Sequence, residues 1–301
     1  MDCAVLGGGA MGTLLAGRLA GTSADVTLID THPAHVRTIN TDGITIETTT
    51  GTTETASLEA TTEPETLEAV DLLVVCVKRY DTADALASAT AVYDDTTTVL
   101  TLQNGIGTVE TLTEFVAVEQ LIVGTTAHGA TVVGPGRVRH AGTGATTVGQ
   151  VTDTEDDTVD AVASLLSAAG FDAEIAEDID VAVWRKLLVN IGINAATALA
   201  RVPNGALVDT EPGTRLLEGA VSEGIAVANA EGIPLSEELV AETKTVARQT
   251  ASNTSSMRQD LEDGSQTEIE SLHGELLARA DAHDIDVPVN RTLCDLIRLA
   301  E

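Results

Sequence analysis

Residues 5–12 read VLGGGAMG, and the fold follows from what flanks them. Upstream, "MDCAVL" (1–6) reads as a strand; downstream, "MGTLLAGRLA" (11–20) reads as a helix of small and apolar residues. Between them lies Gly7-x-Gly9-x-x-Gly12. The first glycine makes a tight turn, the second lets a pyrophosphate approach the backbone, and the third lets helix and strand pack closely. The helix start then offers free N–H groups to a phosphate. An isolated GxGxxG says little. In this strand–loop–helix setting it predicts dinucleotide binding through Gly7, Gly8, Gly9, Ala10, Met11 and Gly12, against the alternative of a glycine turn in an ordinary α/β domain.

Asp30 ends the second strand, "DVTLID" (25–30). A carboxylate there can accept hydrogen bonds from ribose hydroxyls, which favours NAD(H) and repels a 2′-phosphate. The alternative is that Asp30 caps the next helix. No arginine follows immediately in "DTHPAH", and Arg37 is a turn or two away. His32 and His35 are expected on a solvated loop.

Further out, "LLVVCV" (72–77) is a continuous apolar run, as for a central parallel strand covered on both faces. "TTVLTLQNG" (97–105) is another. Helical segments at 82–92 and 108–116 alternate with these strands, so the class is α/β with a mostly parallel, Rossmann-type sheet. Segments 121–133 and 136–150 read as a strand pair, the threonine-rich patch 45–55 as strand and turn, 156–169 as a helix and 172–176 as a last strand. After Glu177 no strand is evident. Helices are expected at 179–200, 213–231, 236–251, 268–283 and 290–299, with Pro212 in a first helical turn. The predicted domains are 1–177, dinucleotide-binding, and 178–301, all-α and substrate-binding.

Composition limits the partners. The 301 residues carry a formal charge of −31, spread along the chain, with lysine only at 78, 186 and 244. Such a field disfavours nucleic acid and anionic membrane. Acidic, lysine-poor and periodically apolar together resemble a protein from a salt-in halophile, where molar salt screens self-repulsion. No apolar run is long enough to span a bilayer, and the start lacks the features of a signal peptide. Cys3, Cys76 and Cys294 are far apart and read as small buried hydrophobes. A reducing, cytoplasmic setting is expected, and no metal site.

"WRKLLVNIGIN" (184–194) places one of the three lysines in a largely apolar helix. Lys186, Asn190 and Asn194 fall four apart on one face. Burying an ammonium and two amides without partners is costly. The stripe is therefore either a satisfied internal network or a substrate cleft, with lysine as proton donor and asparagines holding oxygen atoms. Desolvation would lower the lysine's pKa toward the range of a working general acid.

Here the chain resembles the ketopantoate reductases (2-dehydropantoate 2-reductases). The motifs are "GGGAMG" (7–12), "VCVKRYD" (75–81), "QNGIG" (103–107), "GTTAHGA" (124–130), "WRKLLVNIGINAATAL" (184–199), "PNGAL" (203–207) and "NTSSMRQDLEDGSQTEIE" (253–270). The resemblance implies reduction of 2-dehydropantoate to (R)-pantoate on the way to pantothenate and coenzyme A. Lys186 looks like the proton donor and Glu268 like the glutamate near it and the cofactor ribose. Asn190, Asn194, Asn204 and Ser256 look like substrate ligands, and Asn104 like the asparagine between nicotinamide and substrate. Lys78 looks like the lysine beside the cofactor, and Ala130 like a backbone contact to it. His128 lies in a motif but reads as structural, and Lys244 as a solvated helix residue. The cofactor is NADPH or NADH: the family habit is NADPH, but Asp30-Thr31 stands where NADPH users often carry a basic residue. The partner is a small 2-oxo acid, and a homodimer is compatible with the resemblance. Two rivals stay open: a reductase of another 2-oxo acid or an imine, and a dinucleotide-binding regulator without turnover.

Overall fold

The computed structural model describes residues 1–152 and 157–301. The strands are β1 (Asp2–Leu6), β2 (Asp25–Ile29), β3 (Ile44–Glu47), β4 (Thr53–Ala56), β5 (Glu59–Thr61), β6 (Leu72–Val75), β7 (Thr98–Thr101), β8 (Leu121–Thr126), β9 (Gly129–Gly134), β10 (Arg137–Gly142), β11 (Thr146–Gln150) and β12 (Ala173–Ile175). Helices α1 (Ala10–Leu19), α2 (Pro33–Asp42), α3 (Thr82–Ser88), α4 (Thr108–Leu112) and α5 (Thr158–Ala168) accompany them. The helix expected at 156–169 is α5; residue 156 lies outside the described residues. Then come α6 (Ile179–Ala200), α7 (Ala206–Asp209), α8 (Glu211–Ala230), α9 (Glu238–Gln249), α10 (Ser256–Asp263), α11 (Glu275–Ala282) and α12 (Pro288–Ala300).

The chain divides into two units. One comprises Met1–Gln103 and Thr108–Ile179; the other comprises Asn104–Gly107 and Asp180–Glu301. In the first, the main sheet runs β12-β11-β8-β7-β6-β1-β2-β5. β1, β2, β5, β6, β7 and β8 are mutually parallel, so their carboxyl ends share one edge. β6 is apolar at every position and wholly buried, because both faces of the sheet are covered. On one side lie α1 and α5 with Leu14, Leu15 and Leu166; on the other lie α3 and α4 with Leu86 and Leu112.

The sequence reading of 121–150 needs correction. Four strands occupy it rather than one pair. β8 and β11 pair antiparallel in the main sheet, while the β9–β10 hairpin between them joins a second sheet, order β4-β3-β10-β9. The turn Gly134-Pro135-Gly136 makes this possible, with Gly136 at φ +64°. The second sheet brings Ile44, Ile46 and Val138 to the α1 side of the core.

His35 is also corrected. It lies in α2, buried rather than solvated. Its Nδ1 accepts from Gly136 N at 3.1 Å, which leaves the proton on Nε2, 3.1 Å from Thr13 Oγ1. Thr13 in turn donates to Gly8 O at 2.8 Å. Burial and the two bonds favour the neutral ring, whose pKa is lowered by desolvation.

The second unit is helical, and among the described residues no strand follows β12. α6 carries Trp184, Leu187, Leu188 and Ile191 into its core, where α8 approaches closely: a Cβ on Gly224 would lie 2.3 Å from Leu188 Cδ2. α10 is a helix that the sequence reading missed. Ser255 caps it by accepting from Arg258 N, and Gly264 ends it in the left-handed conformation. The helix expected at 268–283 is a π-helical turn (Glu270–Gly274) running into α11. Lys244 on α9 is less solvated than expected, because Glu218 of α8 pairs with it and only 22 % of its side chain is exposed. No helix among the described residues is long and apolar enough to cross a membrane.

Candidate active site

Of the predicted cofactor residues, the glycine loop, Asp30 and Lys78 follow the carboxyl ends of β1, β2 and β6 in the first unit, Ala130 lies in its second sheet, and Asn104 and Glu268 belong to the second unit. Gly7 follows β1 at φ +106°, and a Cβ there would lie 2.7 Å from Val77 N. At Gly12 a Cβ would lie 1.8 Å from Gly7 O. Gly9, which precedes α1, differs: a Cβ there meets nothing within 4 Å. The loop is thus tight beneath and open above, and the opening leads to the N–H groups of Ala10, Met11 and Gly12 at the start of α1. This is the cradle a pyrophosphate requires.

Asp30, one residue beyond β2, points its carboxylate at this loop. Oδ2 accepts from Gly8 N at 2.7 Å; Oδ1 accepts from His32 N at 2.7 Å and lies 2.9 Å from His32 Nδ1. Asp30 does not cap α2, whose N-cap position is His32 with no side-chain cap bond; it ties the glycine loop to the turn before that helix. Lys78 is half-buried just past β6. Gln103 holds that stretch in place, donating from Nε2 to Val77 O at 2.6 Å and Thr82 Oγ1 at 2.9 Å. Ala130 sits in β9 opposite His140 of β10. His128 packs against His140 and Phe171, with Nδ1 2.9 Å from His140 Nε2, which is a structural arrangement.

The second unit carries Asn104, Lys186, Asn190, Asn194, Asn204, Ser256 and Glu268. On α6, Lys186, Asn190 and Asn194 follow one another at steps of four, and the stripe drifts toward the side that carries Leu187 and Ile191. Asn194 is buried, and burial pushes the Lys186 ammonium down from its ordinary pKa. Yet no hydrogen bond or ion pair joins any of these three side chains to a described residue. A satisfied internal network is thereby excluded. Lys186 and Asn190 are half-buried rather than sealed, so their polar atoms are open to water or a ligand.

Around the stripe the chain is firmly tied. Three residues beyond Asn194, Thr197 Oγ1 lies 2.8 Å from Ser255 Oγ, which docks the start of α10, and with it Ser256, against α6. Asn204 is buried; its Nδ2 donates to Thr250 Oγ1 at 3.0 Å, and its Oδ1 is buried with no partner among the described residues. Asn104 donates to Glu268 Oε2 at 3.3 Å, and a Cβ on Gly105 would lie 2.2 Å from Ser271 O. Among the described residues no hydrogen bond or ion pair joins Glu268 to Lys186. Thr197, Thr250 and Ser255 escaped the sequence reading. The available signals were the spacing of Thr197 from Asn194 and the Ser255…Gly264 cap pair around α10.

A profile described as "Ketopantoate reductase PanE/ApbA" matches residues 3–153, and one described as "Ketopantoate reductase PanE/ApbA C terminal" matches 178–301. The chain belongs to the ketopantoate reductase family. Within that family, it is 49 % identical over 301 residues to the 2-dehydropantoate 2-reductase of Halobacterium salinarum, covering 100 % of this chain and 99 % of the relative. The crystal structure of a PanE/ApbA family ketopantoate reductase from Ralstonia eutropha JMP134 superposes with a TM-score of 0.90 at 32 % identity, covering 100 % of this chain and 98 % of that one. A D-mandelate dehydrogenase solved with NADH and anilino(oxo)acetate superposes at 0.94 and 27 % identity, with the same coverage. The ketopantoate reductase fold thus also serves a dehydrogenase of another name, so the substrate must be argued from the site's own groups.

Proposed function

We infer that this chain is an NAD(P)H-dependent 2-dehydropantoate 2-reductase, with Lys186 as proton donor. The observation that carries this reading is the partnerless stripe of Lys186, Asn190 and Asn194 in a chain 49 % identical to an enzyme of that name. A regulator without turnover would gain nothing from a desolvated ammonium with no counter-ion.

The first unit acts as the dinucleotide-binding domain and the second as the substrate domain. Gly7, Gly9 and Gly12 leave room for the pyrophosphate, Gly8 and Asp30 face the ribose, and Lys78 and Ala130 flank the cofactor. The dinucleotide supplies the hydride that reduces the ketone. Lys186 holds the proton that the developing alkoxide takes up, and its charge stabilises that oxygen before transfer. Lowering the ammonium's pKa by burial makes it a better acid. Asn190 and Asn194 offer amides to the substrate's oxygens, and Ser256 a hydroxyl to its carboxylate. Glu268 orients Asn104. In a protein of charge −31, Lys186 supplies the positive potential that an anionic keto acid needs.

The test is oxidation of NADH and of NADPH by the purified chain with 2-dehydropantoate in molar KCl, where the Debye length is about 3 Å. Turnover of 2-dehydropantoate at a higher kcat/KM than phenylglyoxylate, the keto acid of mandelate, is expected. The reverse order would assign the chain to the mandelate-type branch.

A further inference from the structure

We infer that Thr250 fixes the polarity of the Asn204 amide, and that the amide oxygen so presented selects 2-oxo acids bearing a hydroxyl at the end away from the carboxylate. This rests on the reading above, since 2-dehydropantoate carries such a hydroxyl.

One proton decides the orientation. Thr250 follows α9, and its Oγ1 donates to Val246 O at 2.8 Å. A hydroxyl has a single proton to give. With that proton on Val246 O, Oγ1 can only accept, and it accepts from Asn204 Nδ2 at 3.0 Å. The orientation of the amide, which its shape alone would leave open, is thereby decided. Its oxygen must lie on the opposite side, where it is buried with no partner among the described residues. The surrounding backbone prevents escape. Asn204 N donates to Asn253 O and Gly205 N to Ala251 O, both at 3.1 Å, and a Cβ on Gly205 would lie 2.7 Å from Ala251 Cβ.

An amide oxygen fixed in this way calls for a donor. The ketone and carboxylate of a 2-oxo acid have none to offer; a hydroxyl has. A turned amide would present N–H groups and favour an acceptor instead. A site built to hydrogen-bond a substrate hydroxyl rejects the analogue that lacks it, because its own polar group is then left unpaired. Thr250 is a positioning residue in this scheme and touches no substrate.

Thr250→Val removes the acceptor while keeping the shape. It also leaves Val246 O bonded, because the residue 250 N–H donates to the same carbonyl at 2.9 Å. Thr250→Ser keeps the hydroxyl. The measurement is kcat/KM for 2-dehydropantoate and for 3,3-dimethyl-2-oxobutanoate, which lacks only the hydroxyl, with Tm recorded for each variant. In Thr250→Val the ratio of the two is expected to fall about tenfold, the size of one hydrogen bond, whereas Thr250→Ser keeps it within about twofold. An unchanged ratio in Thr250→Val, or an equal fall on both substrates, overturns the inference and leaves Thr250 a packing residue. Failure of the unmodified chain to reduce 2-dehydropantoate sinks the functional reading itself, and this inference with it.

Discussion

The glycine loop and the lysine helix solve opposite problems. At Gly7 and Gly12 the proposed cofactor cradle depends on what is missing: a side chain at either position would run into backbone at 2.7 Å or 1.8 Å. At Lys186, Asn190 and Asn194 the backbone is an ordinary helix, and the proposed function rests on side chains that have no partner among the described residues. The loop is therefore intolerant of added atoms, whatever their chemistry. The helix should tolerate replacement of Lys186 and even gain from it, since a desolvated ammonium is a cost to folding.

The sharpest break in that comparison is at Lys186. Replacing it with alanine should lower kcat by roughly 10²–10⁴ while dinucleotide binding survives. Near-normal kcat would remove Lys186 from the mechanism. Because burial lowers its pKa, the charged form is the costlier one in the fold. That cost is fully present below the folded pKa and relieved as pH rises through it. Lys186→Met should accordingly raise Tm at neutral pH, by about 2 °C for each ~1 kcal/mol recovered. For the unmodified chain, kcat/KM for reduction should fall as pH rises through a value below 10.5, since only the ammonium can donate.

On the loop side, Gly12→Ala forces a carbon against Gly7 O and should cost about 3 kcal/mol of stability. Gly9→Ala meets nothing within 4 Å, so its Tm should hold while the KM for the dinucleotide rises. Denaturation midpoints and cofactor titrations on the two variants separate tight floor from open roof. Equal loss of stability in both would contradict that division.

Cofactor choice tests the charge beside the loop. Asp30 should favour NADH by like-charge repulsion of a 2′-phosphate in a partly dehydrated site, where salt screens less than in bulk. Asp30→Ser with Thr31→Arg should move the kcat/KM ratio toward NADPH by about tenfold, or 1.4 kcal/mol. Strong NADPH preference in the unmodified chain, with no further shift in the double variant, would show that Asp30 serves only the Gly8 and His32 bonds.

The smallest effect concerns a buried group outside the stripe. His273 is fully buried, neither ring nitrogen has a partner among the described residues, and desolvation pulls its pKa down to about 4 from 6.5. Its neutral form suits the fold, so stability is full above 6.5 and declines as pH falls toward 4. In His273→Leu the acid limb of the stability curve should be shallower over that window. Identical limbs would mean that other groups govern the acid transition.

What the sequence determined by itself is what short-range pattern can carry. The strand–GxGxxG–helix order, the buried apolar run at Leu72–Val75, the span of α6 and the steps of four along it depend on residues a few positions apart. Periodicity and glycine sterics act at that range. Other features depend on residues far apart in the chain. β3 pairs with β10 some ninety positions later, as Thr45 with Arg137, and this recruits the β9–β10 hairpin into a second sheet. His35 is buried because Gly136, 101 positions on, offers it an N–H. Asn104 meets Glu268 across 164 positions. The amide polarity of Asn204 is set by a threonine 46 positions away, whose own proton is already committed. Which donor finds which acceptor at such separations is a matter of packing, and only the tertiary structure decided it.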